Sequence, residues 1–135
     1  MNTIQPILLI EDDQVDIMTV KRGFKELGVV NKLVTTHNGE EALQYLDAPL
    51  EGLPCVILLD INMPKMNGHE LLEKLNKHSV FTHIPVIMLT SSKEQQDVDN
   101  SFEKGISGYI LKPVDYQQFL SSIQVLTPFW TLKGH

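Results

Sequence analysis

Four apolar runs of the sequence each end in side chains suited to phosphoryl transfer or metal binding. These side chains are Glu11 and Asp12, Asp60, Thr90, and Lys112. Carboxylates that crowd together repel one another, and a hard divalent cation such as Mg²⁺ relieves that repulsion. A carboxylate can also attack phosphorus to form an aspartyl-phosphate, and a lysine ammonium group suits a phosphate partner. These residue types therefore predict a site that accepts a phosphoryl group with the help of a metal ion.

The apolar runs have the length of short buried strands. They occupy residues 6–10, 33–36, 56–59, 84–89 and 107–111. Between them apolar residues recur at helical spacing, as with Ile17, Val20, Phe24 and Leu27. Strands that alternate with helices predict a parallel sheet, and continuous apolar strands predict helical cover on both faces. We therefore expect an α/β fold of five βα units, with residues 1–135 forming one domain.

Capping residues mark the predicted ends of several helices. Asp13 is expected to cap the first helix rather than bind a metal, and Gly28 is expected to end it. Asn38–Glu41 has the capping-box pattern for the second helix. Gly68 is expected to allow a close or unusual backbone path at the start of the third helix. A further helix, between the fourth and fifth strands, is predicted within Ser92–Gly105.

In an open parallel sheet, ligands bind outside the carboxyl ends of the strands. The acids, the hydroxyl group and the ammonium group should therefore meet at one edge of the sheet. The chain contains neither of the glycine-rich motifs that cradle nucleotide phosphates. The phosphoryl donor is therefore expected to be something other than ATP bound to this chain.

These residues, in this order, resemble the receiver domains of two-component response regulators. The resemblance rests on Glu11-Asp12 after LLI, Asp60 in DINMPKMNG, Thr90 in MLTSS and Lys112-Pro113 in YILKP. Together the motifs extend along the whole chain. The resemblance, which is to single-domain, chemotaxis-regulator-like members, implies a flavodoxin-like (βα)5 three-layer sandwich with strand order 2-1-3-4-5.

The resemblance also implies a role for each acidic residue. Asp60 would be the phosphoacceptor, and Glu11 and Asp12 would form the acidic pair of the metal site. Asp12 and Asp60 would bind Mg²⁺, and the main-chain carbonyl of Asn62 would complete the protein ligands. A protein of this kind is not a conventional enzyme, because it catalyses only its own phosphorylation and autodephosphorylation.

Further implied roles concern switching and partners. Thr90 would be the switch hydroxyl, Lys112 the phosphate partner and Tyr109 the switch aromatic, and the Lys112-Pro113 bond would be cis. The phosphoryl donor would be a sensor histidine kinase or a phosphotransfer protein. The output would be binding of an unknown downstream protein through the face formed by the fourth and fifth predicted helices and the fifth strand.

Composition argues against several other classes of function. The formal charge is -6 and no Lys/Arg cluster exceeds a pair, so nucleic-acid binding by this chain is not expected. No basic leader or long apolar run is present, so a membrane span is not expected either. The single cysteine, Cys55, is expected to be a buried small hydrophobe in a reducing compartment, the cytoplasm.

The C-terminal segment Thr127–Leu132 contains two adjacent aromatic residues, Phe129 and Trp130. One interpretation is that this segment folds back on the last helix. The alternative is an exposed interface. The segment resembles the F-W ending of regulators that partner phytochrome-type kinases, which implies a possible homodimer, although the ending K-G-H departs from the apolar finish of that subgroup.

Two other functions compete with phosphoacceptance and response regulation. An aspartate-nucleophile phosphatase of the haloacid-dehalogenase type also uses Asp and Mg²⁺ after a strand. That chemistry needs a second acid two residues after the nucleophile, where this chain has Asn62. A degenerate receiver that only binds proteins is the second alternative, and the full set of site residues argues against it.

Overall fold

A computed structural model describes residues 4–61, 66, 68–90, 103, 105–111 and 115–131, apart from the side chains of Thr90 and Thr127. The strands are β1 Ile7–Ile10, β2 Leu33–Thr36, β3 Val56–Asp60, β4 Val86–Thr90 and β5 Gly108–Leu111. The α-helices among these residues are α1 Gln14–Glu26, α2 Gly39–Asp47, α3 Gly68–Lys77 and α4 Tyr116–Val125. Short 3₁₀ helices occupy Phe81–His83 and Thr127–Phe129. The helix predicted within Ser92–Gly105 falls largely outside the described residues.

The five strands form one parallel sheet in the order β2-β1-β3-β4-β5, which confirms the predicted topology. The predicted starts of β1 and β4 were wrong by one and two residues, because Pro6 and Pro85 precede the strands. Proline has no N–H group to donate to a ladder, so it stands at a strand's margin. At the other end, β3 includes Asp60 and β4 includes Thr90, so both residues terminate a strand.

Alternate residues of each strand pack into two separate cores, one on each face of the sheet. Leu8 and Ile10 of β1 belong to the core covered by α2 and α3. Ile7 and Leu9 belong to the core covered by α1 and α4. This alternation follows from the two-residue period of a strand. The result is the predicted three-layer sandwich, with helices on both faces of the sheet.

The end of α1 shows why its predicted boundary is correct. Gly28 has a φ of 74°, in the left-handed region. Its N–H donates to the carbonyl of Lys25 at 3.2 Å, and the N–H of Val29 donates to that of Phe24 at 2.9 Å. This is a Schellman motif, which satisfies carbonyl groups at the end of a helix and favours glycine.

The C-terminal segment folds back onto α1 and onto the loop that leads to β2. Trp130 is only 6% exposed, and its ring lies 5.0 Å from that of Phe24. The carbonyl of Thr131 accepts from the N–H of Val30 at 2.8 Å, and its own N–H donates to Oδ1 of Asn31 at 2.6 Å. Of the two interpretations of this segment, it folds back rather than leaving Trp130 exposed, and these ring and hydrogen-bond contacts lie on α1 and the loop after it.

Candidate functional site

Asp60 is the last residue of β3 and is 1% exposed. It lies opposite Leu89 in the parallel register with β4. The next residue, Ile61, donates its N–H to the carbonyl of Leu89 at 3.0 Å, which extends the pairing past the strand end. A carboxylate buried at this depth is costly unless other groups compensate its charge. Pairing with β4 on either side of this residue therefore fixes the backbone of Asp60 at the carboxyl end of β3.

Glu11 and Asp12 follow β1, the strand next to β3. Glu11 is fully buried and Asp12 is exposed. The N–H of Glu11 donates to the carbonyl of Thr36 at 2.9 Å, and its Oε1 accepts from the N–H of Asp13 at 3.0 Å. The Thr36 carbonyl therefore fixes the backbone of Glu11, and the N–H of Asp13 fixes its carboxylate.

Asp13 has the capping role that the sequence predicted. Its Oδ1 accepts from the N–H of Asp16 at 3.1 Å, at the start of α1. Side-chain acceptors at this position satisfy one of the free N–H groups of a helix's first turn. The third acid of the run therefore starts the helix, while the first two face the site.

The carboxylates of Glu11, Asp12 and Asp60 come together at the carboxyl edge of the sheet. Each offers an oxygen, and these oxygens all lie within 4.8 Å of one another. Three carboxylates at such distances repel strongly, and one shared cation offsets the repulsion. Oxygen ligands with one accessible member suit Mg²⁺, which retains several of its waters when bound. The donor set therefore fits a hard divalent cation.

Gly68 opens α3 in direct contact with the backbone that follows Asp60. Its N–H donates to the carbonyl of Ile61 at 2.9 Å. A β-carbon placed on Gly68 would lie 2.7 Å from Cα of Ile61 and 2.9 Å from the carbonyl oxygen of Asp60. Such distances are too short for any side chain, so the close approach predicted at Gly68 is confirmed.

The sequence also matches a known family over most of its length. The family model described as the response regulator receiver domain covers residues 7–124. The chain belongs to this family. Receiver domains of response regulators act in two-component signalling, and phosphoacceptance is the function consistent with this membership.

Three response regulators, two of them named for phytochromes, are similar to this receiver domain. The response regulator Rcp1 of Synechocystis is 30% identical over 133 residues, which are 96% of this chain and 90% of Rcp1. The solved Mn²⁺-bound form of Rcp1 has a TM-score of 0.80 and 30% identity, with 97% of this chain and 96% of that chain covered. The bacteriophytochrome response regulator RtBRR has a TM-score of 0.83 and 38% identity, with 98% and 83% covered. The phosphorylated cyanobacterial phytochrome regulator RcpA has a TM-score of 0.82 and 29% identity, with 97% and 99% covered.

Of the remaining predicted site residues of the receiver domain, the structure describes some and not others. Thr90 ends β4 opposite Leu111 of β5, so its backbone is at the same edge of the sheet. Tyr109, on β5, is 43% exposed and lies opposite Met88. Asn62 and Lys112 lie outside the described residues. Their roles, and that of the Lys112-Pro113 bond, stay predictions.

The second strand contributes more to the receiver site than its side chains indicate. The contribution of Thr36 is its main-chain carbonyl, which accepts from the N–H of Glu11 at 2.9 Å. A main-chain group has no residue-type signature, so no sequence pattern marks it.

In the described parts of the receiver domain, no helix combines the length and apolar content that crossing a bilayer requires.

Proposed function

We propose that Asp60 is the phosphoacceptor of this receiver domain and that Glu11, Asp12 and Asp60 hold Mg²⁺, with the carbonyl of Asn62 as a further ligand. The observation that carries the proposal is the cluster of three carboxylate oxygens within 4.8 Å, two of whose residues are buried. The bound metal would neutralise charge on the phosphoryl oxygens. The whole chain, residues 1–135, acts as one receiver domain in this proposal.

The transfer step uses the Asp60 carboxylate as a nucleophile. One of its oxygens attacks the phosphorus of a phosphohistidine, a P–O bond forms and the P–N bond breaks, and the histidine leaves with the bonding electrons and takes up a proton. In autodephosphorylation, water attacks phosphorus and the Asp60 carboxylate leaves. Lys112 pairs with the phosphoryl group, and the Thr90 hydroxyl donates a hydrogen bond to one of its oxygens. Apart from these two reactions on its own acceptor, the chain is proposed to have no turnover.

The proposed partners follow from this chemistry. A sensor histidine kinase or a phosphotransfer protein of the cytoplasm supplies the phosphoryl group. A downstream protein or a second copy of this chain binds the face formed by β5 and α4. Tyr109, Leu111 and Val125 expose apolar surface on these elements, which supports a binding role for this face. Tyr109 and Thr90 are proposed to couple the phosphoryl group to the face by shifting a two-state equilibrium.

Phosphorylation with a small donor tests the proposal directly. The protein is incubated with Mg²⁺ and acetyl phosphate, and an acid-stable, base-labile adduct is sought by mass spectrometry. Asp60→Asn is expected to abolish the adduct. Asp47→Asn is the matched control, because Asp47 is an exposed carboxylate at the end of α2. An adduct that persists in Asp60→Asn would contradict the assignment, and steady turnover of phosphate esters would favour a phosphatase.

A further inference from the structure

A contact between Met66 and Gly39 connects the segment that follows Asp60 with the start of α2. Gly39 is the first residue of α2 and is buried. A β-carbon placed on Gly39 would lie 2.9 Å from Sδ of Met66 and 3.1 Å from both its Cβ and its Cγ. The three nearest atoms thus all belong to Met66, whose side chain rests on the bare backbone of Gly39. Met66 also packs against the core between the sheet, α2 and α3.

On one side of this contact, the backbone before Gly39 is bonded to the segment that carries Glu11. The carbonyl of Thr36 accepts from the N–H of Glu11 at 2.9 Å. Asn38, the next residue but one, caps α2 by accepting from the N–H of Glu41 at 2.9 Å. The segment from Thr36 to Gly39 is thereby fixed between β1 and α2.

On the other side, Met66 belongs to the segment between Asp60 and α3. That segment is bonded at both ends, through Ile61 to Leu89 of β4 at 3.0 Å and through Gly68 to Ile61 at 2.9 Å. The Met66 side chain is therefore a bridge from the acceptor's segment to the start of α2. Through Thr36, the same bridge reaches the backbone of Glu11.

We propose that Met66 is a positioning residue, which sets the separation of the Asp60 and Glu11 carboxylates by resting on Gly39. Packed interiors transmit small displacements, and Mg²⁺ tolerates little departure from octahedral geometry. A shift of a few tenths of an ångström at Met66 therefore changes metal affinity. This inference rests on the proposed function of the site and adds to it residues that touch neither metal nor phosphate.

Calorimetric titration with Mg²⁺ alone tests the inference on four variants of the full chain. Gly39→Ala adds a methyl group close to Cβ of Met66, an overlap that side-chain rotation cannot relieve, and Met66→Ala removes the bridge. Each is expected to weaken Mg²⁺ binding roughly tenfold. The double variant is expected to lose no more Mg²⁺ affinity than either single variant. Without the Met66 side chain, the methyl group added at residue 39 has nothing left to displace. Met66→Leu keeps the volume and should stay within about twofold of wild type.

Gly108→Ala is the matched control, since a β-carbon there would meet only Cδ2 of Leu126, at an ordinary 3.7 Å. Thermal melting in chelator is recorded for every variant. A residue with only a structural role would lower the melting temperature and leave the metal affinity of the folded protein unchanged, which would overturn the inference. Losses that add in the double variant would overturn it too. If Gly39→Ala fails to fold, the contrast between Met66→Ala and Met66→Leu decides.

The rate of adduct formation from acetyl phosphate separates this inference from the function beneath it. A wild-type chain that binds no Mg²⁺ and forms no adduct refutes the proposed function, and the role of Met66 with it. If the wild-type chain forms the adduct while Met66→Ala keeps the wild-type Mg²⁺ affinity and rate of adduct formation, only the role of Met66 is refuted.

Discussion

Trp130 packs edge-on against Phe24 of α1, with ring centroids 5.0 Å apart and ring planes at 73°. Phe24 in turn meets Phe119 of α4 edge-on at 5.6 Å. The C-terminal segment thereby completes the core on one face of the sheet. Aromatic pairs of this geometry stabilise a fold beyond the area that they bury.

Trp130→Ala should therefore destabilise the domain strongly. Truncating a buried aromatic side chain leaves a cavity, and we expect a loss of about 3–5 kcal/mol in the free energy of unfolding. Urea denaturation followed by circular dichroism measures it. Val125→Ala, at a position that is 78% exposed, is the control and should change stability by less than about 0.5 kcal/mol. Equal losses in the two variants would show that the segment does not contribute to the core.

Mg²⁺ should stabilise the folded chain. A ligand that binds only the native state at a hundred times its dissociation constant adds about 2.7 kcal/mol to stability. Asp12→Asn and Asp60→Asn each remove a carboxylate of the cluster and should abolish most of that gain. Asp47→Asn should retain it. Denaturation in Mg²⁺ and in chelator provides the comparison, and a gain that survives in Asp60→Asn would place the metal elsewhere.

Gly68→Ala should impair both stability and phosphorylation. The added methyl group would lie 2.7 Å from Cα of Ile61, and a backbone atom cannot rotate away. Overpacking of this kind costs about 1–3 kcal/mol. Since Ile61 follows Asp60 directly, adduct formation from acetyl phosphate should also slow. Gly108→Ala tests the loss of a glycine without overlap, and similar effects in both variants would rule out this explanation.

Cys55 should make stability depend on alkaline pH. Burial raises the pKa of its thiol above the ordinary value of 9.0. The folded chain thus retains the proton more tightly than the unfolded chain. The resulting stability is complete below the unfolded pKa and is lost as pH rises through the folded pKa. The free energy of unfolding should therefore fall as pH rises above about 9, and Cys55→Ala should remove that slope.

Tyr45 limits the pH range of this measurement. Burial raises its pKa also, from an ordinary value of 10.0, so the titrations are best compared below that pH.

The thiol of Cys55 donates to the carbonyl of Phe129 at 3.2 Å. Trp130→Ala should therefore also speed the reaction of Cys55 with a disulfide reagent at pH 8. An unchanged rate would show that the C-terminal segment does not protect the thiol.

Dimerisation is expected to involve the face of β5 and α4 rather than the Trp130 side chain, which is already buried against α1. Light scattering with and without the phosphoryl adduct measures the mass in solution. Val125→Asp should weaken a dimer, because a charge would replace exposed apolar surface. A monomer at high concentration in both states would exclude the homodimer.

The sequence predicted those features of the fold and the site that depend on the types of side chain. Apolar runs ending in Glu11-Asp12 and Asp60 located the strands, the edge of the sheet and the acidic cluster. The Met66–Gly39 contact and the Thr36 carbonyl gave no such signal, because packing partners and main-chain acceptors are set by the fold. Cys55, expected to be buried, is only half-buried, since it lies where the loop before β3 meets the C-terminal segment.

Trp130 is the single tryptophan of the chain and lies near the amino ends of the strands. The acidic cluster lies at their carboxyl ends, so the intervening strands of four or five residues separate the two by roughly 13–17 Å. Intrinsic fluorescence excited at the indole band should therefore monitor docking of the C-terminal segment. Metal titrations that leave this emission unchanged would be uninformative about binding, and an introduced fluorophore near Asp60 would be the better probe.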